Sequence, residues 1–91
     1  PIESMGKDPK TRLQELLQGK RLKLPIYRVL VEGGTSASPE FSVECSVEAL
    51  EITKVGQGHS RRVAEQHAAQ AVLIELLERE YSDPNQASRR Q

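Results

Sequence analysis

A strictly alternating segment in the middle of the chain constrains the fold most. Every second residue from Phe41 to Val47 is apolar, and the residues between them are Ser or Glu. Side chains on a β-strand point alternately to opposite faces, so this segment predicts a strand with one buried face and one face in water. Such a strand belongs to an antiparallel sheet whose apolar face must be covered by other elements.

Two further segments are predicted to complete the sheet. Ile26–Glu32 is rich in β-branched and aromatic residues, and Ile52–Gly58 is a short strand that ends in a Gly-Gln-Gly sequence. Glycine, serine and threonine dominate Gly33–Pro39, which is typical of a turn. The sequence therefore predicts three antiparallel strands.

One helix is predicted before the sheet. Asp8 can cap its free backbone amides, and Pro9 suits the first helical position. We expect the helix to end at Gln18, with Gly19 in a left-handed exit. The residues predicted to form its apolar stripe are Leu13, Leu16 and Leu17. The residues on the opposite, outward stripe are Thr11, Gln14, Glu15 and Gln18.

A second helix is predicted after the sheet, from a cap at Ser60 to about Glu80. Its apolar stripe comprises Ala64, Ala68, Ala69, Val72, Leu73 and Leu76. Because the first half of this stripe is alanine, that end can approach the sheet closely. The expected fold class is α+β, in the order α-β-β-β-α, with a three-stranded antiparallel sheet and both helices packed on one face. Residues 1–7 are expected to be a linker, 8–80 the folded domain and 81–91 a flexible tail.

Composition limits the classes of function. The 91 residues suffice for one domain, and 13 basic against 13 acidic residues give a formal net charge of zero. That balance argues against nucleic-acid binding driven by bulk charge. The charges are unevenly placed, however: residues 7–28 carry seven basic and two acidic side chains, and residues 32–52 carry five acidic ones. The zero net charge therefore does not exclude a local basic face. No apolar run is long enough to span a membrane.

The chain shows no pattern of catalytic or metal-binding residues. Its acidic residues do not form the carboxylate cluster that a metal-dependent phosphodiester hydrolase needs, so no catalytic residue is expected. His59 and His67 lack partners at zinc-ligand spacing and are interpreted as surface imidazoles on a helix. The single cysteine, Cys45, is interpreted as a small buried hydrophobe. We therefore expect no metal site and no cofactor in this chain.

The start of the second helix carries the strongest functional signal. A Gly-Gln-Gly turn leads to the cap at Ser60, and the first helical turn carries Arg61 and Arg62. The free amides at a helix N-terminus favour an anion, and arginine adds charge and forked donors. Arginine is on the unfavourable end of the helix dipole here. The pair therefore favours a bound anion such as phosphate over the alternative, a solvated pair at the end of a surface loop.

The same segment resembles the double-stranded RNA-binding domain, whose signature is a Gly-x-Gly turn, a Ser, two basic residues and an Ala-rich helix. The resemblance covers about Asp8 to Glu80. It is closest to the C-terminal RNA-binding domain of bacterial ribonuclease III, which shares the Lys-Asp-x-Lys-Thr motif beginning at Lys7 and the Arg-Arg-x-Ala-Glu-Gln motif. Two departures stand out: the first turn of the sheet lacks the family's Pro and His, and Glu65 replaces a common Lys.

The resemblance implies double-stranded RNA as the partner and three contact surfaces. The residues that would contact one minor groove are Thr11, Gln14, Glu15 and Gln18. The residues of the loop that would enter the next minor groove are Gly33, Gly34, Thr35 and Ser36. The residues that would bridge the phosphates of the intervening major groove are Ser60, Arg61 and Arg62.

The resemblance also implies a larger protein around this domain. The chain would be the non-catalytic, substrate-binding module of a cytoplasmic ribonuclease III endoribonuclease. A catalytic domain outside this chain would hold Mg²⁺ and form a homodimer. The alternative is a protein–protein interaction module of the same fold with weak or no RNA binding, which the zero net charge and the altered loop would suit.

Overall fold

The five predicted elements form in the predicted order. In the computed structural model, which describes residues 8–81, the helices are α1 (Pro9–Gly19) and α2 (Arg61–Tyr81), and the strands are β1 (Ile26–Gly34), β2 (Pro39–Val47) and β3 (Ile52–Gly58). A short 3-10 turn, Glu48–Leu50, joins β2 to β3. The predicted linker 1–7 and residues 82–91 of the predicted tail lie outside the described residues. Between residues 8 and 81, no helix has the length and apolar character needed to cross a bilayer.

The three strands form one antiparallel sheet in the order β1-β2-β3. Cys45 on the central strand pairs with Tyr27 on one side and Lys54 on the other, which sets the register. A bulge between Val29 and Val31 interrupts the β1–β2 pairing, and the sequence pattern did not predict it. The predicted α+β fold with an α-β-β-β-α order is confirmed.

Both helices lie on the same face of the sheet, and α2 is the one in closer contact with it. The core residues are Leu13 and Leu17 of α1, Cys45 and Val47 of β2, Ile52 of β3, and Ala68, Ala69, Val72, Leu73 and Leu76 of α2. Ala64 is buried as well, so the whole apolar stripe predicted for α2 is confirmed. The helices run in the same direction, because Lys10 contacts Glu65 near their starts and Lys20 contacts Glu80 near their ends.

A close approach between α2 and β3 fixes the height of the helix above the sheet. A Cβ atom added to Gly56 would overlap the backbone nitrogen of Ala68 and the backbone oxygen of Ala64. A Cβ at Gly58 would lie 2.8 Å from the backbone nitrogen of Ala64. Glycine in the strand and alanine in the helix are therefore both needed for this contact, as the small residues of the predicted stripe indicated.

The end of α1 differs from the prediction. The left-handed residue is Arg21, with φ of 60°, and Gly19 remains within the helix. The amide of Leu22 donates to the carbonyl of Leu17, and the amide of Arg21 donates to that of Gln18, both at 2.9 Å. These two bonds form a Schellman motif, in which the residue after the cap is left-handed. Leu22 packs against the core, and this contact extends the helix beyond the predicted exit.

Two strand boundaries also differ from the prediction. Gly33 and Gly34 are the last residues of β1, so the turn is shorter than Gly33–Pro39 and comprises Thr35–Ser38. Reciprocal backbone hydrogen bonds of 3.1 Å between Thr35 and Ser38 close this turn. At its other end β2 finishes at Val47, where the alternating pattern ends, and Glu48 begins the 3-10 turn.

We predict that Gly56→Ala destabilises the domain strongly. The added methyl group would meet helix backbone, which cannot rotate away, so α2 would have to move off the sheet. We expect the free energy of unfolding to fall by about 3 kcal/mol or more, measured by chemical denaturation.

Gly19→Ala is the matched control for that substitution. No atom lies within 4 Å of a Cβ added at Gly19, which is in α1. Alanine should therefore raise the free energy of unfolding by about 0.5–1 kcal/mol. Equal effects of the two substitutions would contradict the close approach of α2 to β3.

Candidate nucleic-acid interface

The first candidate surface is the outward stripe of α1. Its four residues, Thr11, Gln14, Glu15 and Gln18, are all exposed, as predicted. The opposite face of the helix carries Leu13 and Leu17, which are fully buried. The carboxylate of Asp8 caps the helix by accepting a hydrogen bond from the Thr11 amide at 2.8 Å. The cap and the buried leucines together fix which side chains face solvent.

The second candidate surface is the first turn of α2. Ser60 caps it, since its Oγ accepts a hydrogen bond from the Val63 amide at 3.1 Å. Arg61 and Arg62 are both exposed, and Ser60 is half-buried. The close approach of α2 to Gly56 and Gly58 places this turn at the end of β3, with the two exposed arginines on the same turn as the first backbone amides of the helix. The arrangement can bind an anion with both fixed dipoles and charged donors.

A network of side chains joins these two surfaces. The ammonium of Lys10 lies 2.6 Å from Oε1 of Glu65, and Nε of Arg61 donates to Oε2 of the same carboxylate at 3.0 Å. Gln66 adds two bonds: its Oε1 accepts from the Lys10 amide, and its Nε2 donates to Oδ2 of Asp8, each at 3.0 Å. We call these five residues the α1–α2 bridge. It fixes the start of α1 beside the start of α2.

The charges of the α1–α2 bridge shift the pKa values of its carboxylates. Burial alone would raise the pKa of Glu65, but the hydrogen bonds and charges of Lys10 and Arg61 lower it overall. Hydrogen bonds from Thr11 lower the pKa of Asp8, and the charge of Arg62 contributes to the same shift. Both carboxylates are therefore ionised at neutral pH and hold the surrounding donors in place.

The third candidate surface is the end of β1 together with the exposed turn that follows it. Gly33, Gly34, Thr35 and Ser36 are all exposed. Nδ1 of His59, which precedes α2, lies 3.1 Å from the Pro39 carbonyl at the base of this turn and can donate to it. Glu40, His59 and Val63 line the same open cavity, so the base of the hairpin lies beside the first turn of α2. The three surfaces thus follow one another, with the α2 turn between the α1 stripe and the loop.

Ten of the eleven residues predicted for the interface are exposed, and the eleventh, Ser60, is half-buried. The sequence patterns did not predict the contacts of Lys10 and Gln66 in the α1–α2 bridge, nor the contact of His59 with the base of the hairpin. His67 is exposed on α2, where its Nδ1 lies 2.5 Å from the Gln57 carbonyl, whereas His59 lies before the helix rather than on it. Cys45 is fully buried, as predicted, and burial raises the pKa of its thiol.

The fold corresponds to a known family. Residues 9–76 match the family model described as the double-stranded RNA binding motif. The chain belongs to this family.

Relatives in bacteria and solved structures agree with that assignment. Ribonuclease 3 of Histophilus somni is 57% identical over 70 residues, which cover 77% of this chain and 31% of that protein. Ribonuclease 3 of Bordetella avium is 52% identical over 75 residues, covering 82% of this chain and 30% of that protein. The resemblance to the RNA-binding domain of bacterial ribonuclease III is thereby confirmed. The chain spans about three tenths of the length of these two relatives.

A solved structure shows the same fold in a plant protein. The structure of Arabidopsis HYL1, described with its implications for miRNA processing, has a TM-score of 0.65 and 32% sequence identity. The match covers 76% of this chain and 96% of that one. The fold is therefore shared between this chain and a plant protein.

We predict that Glu65→Gln reduces the loss of stability in acid. Because the pKa of Glu65 is lowered by folding, its carboxylate stabilises the domain above its ordinary value of 4.5. That contribution is lost as the pH falls through the lower, folded-state value. The free energy of unfolding, measured by chemical denaturation at a series of pH values, should therefore fall less steeply between about pH 6 and pH 3 for the variant than for the wild type. Parallel curves would contradict the assigned role of the bridge carboxylate.

Proposed function

We propose that the chain binds double-stranded RNA by its shape, as the substrate-binding module of a ribonuclease III endoribonuclease. The observation that carries the proposal is the order of the three surfaces. The cationic turn of α2 lies between the α1 stripe, which is polar with a single glutamate, and the β1–β2 hairpin surface, which is uncharged. A-form RNA presents the same order, since two shallow minor grooves lined with 2′-hydroxyls flank a major groove bordered by phosphates.

The α1 stripe is chemically suited to a minor groove. Threonine and glutamine side chains both donate and accept hydrogen bonds, and a glutamate accepts them from hydroxyl groups. Thr11, Gln14, Glu15 and Gln18 can therefore pair with 2′-hydroxyls and base edges, which a purely cationic surface cannot do. The α1–α2 bridge supports this role by holding the stripe in a fixed position relative to the phosphate site.

The α2 turn is suited to phosphate. Arg61 and Arg62 supply charged forked donors, and Ser60 together with the free amides adds neutral ones. The hairpin completes the interface: Gly33 and Gly34 at the end of β1 add no bulk that would keep it out of a shallow groove, and Thr35 and Ser36 in the turn carry hydroxyls. The three surfaces together would span about 16 base pairs. With few phosphate contacts, the slope of log K against log salt would be roughly −2 to −4.

The proposal extends to the protein that would contain this module. The match covers about three tenths of each of the two bacterial relatives, and both are ribonucleases. We propose that this chain is non-catalytic and that a separate domain supplies the carboxylates and Mg²⁺ for cleavage. That domain would form a homodimer in the cytoplasm, and the present module would raise the local concentration of duplex near it.

We predict that Arg61→Glu combined with Arg62→Glu abolishes most binding of duplex RNA. The change replaces two phosphate donors with two repelling charges, so the dissociation constant should rise about 100-fold or more in a gel-shift or anisotropy titration. Folding should persist, because both side chains are exposed.

Lys23→Glu combined with Arg28→Glu is the matched control, since it makes the same change in net charge. Lys23 lies in the connector after α1, and Arg28 pairs with Glu44 on the outer face of the sheet. Binding should change by less than about fivefold, through long-range charge alone. A wild-type domain that binds RNA and DNA duplexes equally would contradict recognition by shape. A domain that binds neither would favour the protein–protein alternative.

A further inference from the structure

Glu65 lies between the two helices of the interface and forms an ion pair with one residue of each. Its side chain is 12% exposed, and each carboxylate oxygen has its own cation: Lys10 of α1 at Oε1 and Arg61 of α2 at Oε2. A carboxylate in this position removes positive charge from a phosphate site, which is unfavourable for raw affinity. A role for Glu65 in RNA binding must therefore come from the side chains that it positions and not from its charge.

The contact with Arg61 orients a phosphate donor. Glu65 engages Nε of the guanidinium and leaves the two Nη groups for a phosphate. An exposed arginine has many rotamers, and ordering it on binding costs free energy. A side chain held by Glu65 before RNA arrives loses less freedom, so the arginine is pre-organised.

The contact with Lys10 sets the spacing of the two helices. Lys10 also lies over the ring of Tyr27, with Nζ 4.8 Å from the centroid, so the same side chain connects α1 to the sheet. The neighbouring Gln66 binds the Lys10 amide and Asp8 and holds the same turn of α1. Two consecutive residues of α2 thus hold the start of the α1 stripe at one distance from the phosphate site.

We infer that Glu65 is a positioning residue for shape selectivity: it holds the α1 stripe and Arg61 at a spacing that fits A-form and not B-form duplexes. The inference rests on the proposed function. A lysine at this position would add charge for any polyanion but could hold neither Lys10 nor Arg61. With glutamate at this position the domain binds polyanions in general less tightly, but it discriminates better between A-form and B-form duplexes.

The test compares binding of RNA and DNA duplexes of the same sequence at one salt concentration. For Glu65→Gln, which loses the ion pairs, the RNA dissociation constant should rise about tenfold while DNA binding stays within about twofold. For Glu65→Lys, DNA binding should tighten and the ratio of RNA to DNA affinity should fall further. Glu44→Gln removes a glutamate–arginine pair on the outer sheet face and should leave the ratio unchanged.

Glu65→Asp separates geometry from charge. Aspartate keeps the negative charge, but its shorter side chain cannot reach both cations at their present positions, so the affinity ratio should fall as it does for glutamine. Discrimination at the wild-type level in both the Asp and the Gln variants would overturn the inference. So would a loss in the Gln variant with full retention in the Asp variant, because charge alone would then explain the effect.

The outcomes also distinguish this inference from the proposed function. A wild-type domain that fails to prefer RNA defeats the proposed function itself. A wild-type domain that prefers RNA, with variants that keep the preference, defeats only the role of Glu65. Thermal melting of every variant shows whether it is folded, and the conservative Asp variant keeps the test valid should Gln or Lys prevent folding.

Discussion

The packing of α2 against β3 at Gly56 is the contact on which the interface depends. The helix backbone at Ala64 and Ala68 lies so close to the strand that no side chain fits between them. This contact fixes both the height and the direction of α2, and with them the position of Arg61 and Arg62. The α1–α2 bridge then holds the start of α1 against the first turns of α2. The positions of the α1 stripe and the α2 turn therefore both depend on the packing of α2 against β3.

Much of the fold could be predicted from the sequence because the burial pattern is regular. The apolar residues of the alternating segment are buried apart from Phe41, which is half-buried, and the apolar stripe of α2 is buried throughout. Helix starts were equally predictable, since a cap acts locally: the Asp8 and Ser60 side chains each bind the amide three residues later. Exposure of the α1 stripe followed from helical periodicity.

The features that escaped prediction depend on contacts between distant segments. Arg21 adopts the left-handed conformation although Gly19 is nearby, because Leu22 must reach the core. The bulge in β1 reflects its pairing with β2 and not its own sequence. The α1–α2 bridge joins Lys10 to Glu65, 55 residues apart, and periodicity within each helix carries no information about such a pair. Local sequence patterns could therefore not predict the α1–α2 bridge.

The most direct test of the account is an amide chemical-shift titration of the ¹⁵N-labelled domain with an RNA duplex of about 16 base pairs. If the three surfaces act as one rigid interface, the amides of Thr11, Thr35 and Arg62 will shift together with a single dissociation constant. Thr53 and Val55, exposed residues of β3, will not respond. Separate dissociation constants for the three surfaces, or shifts centred on β3, would contradict the account.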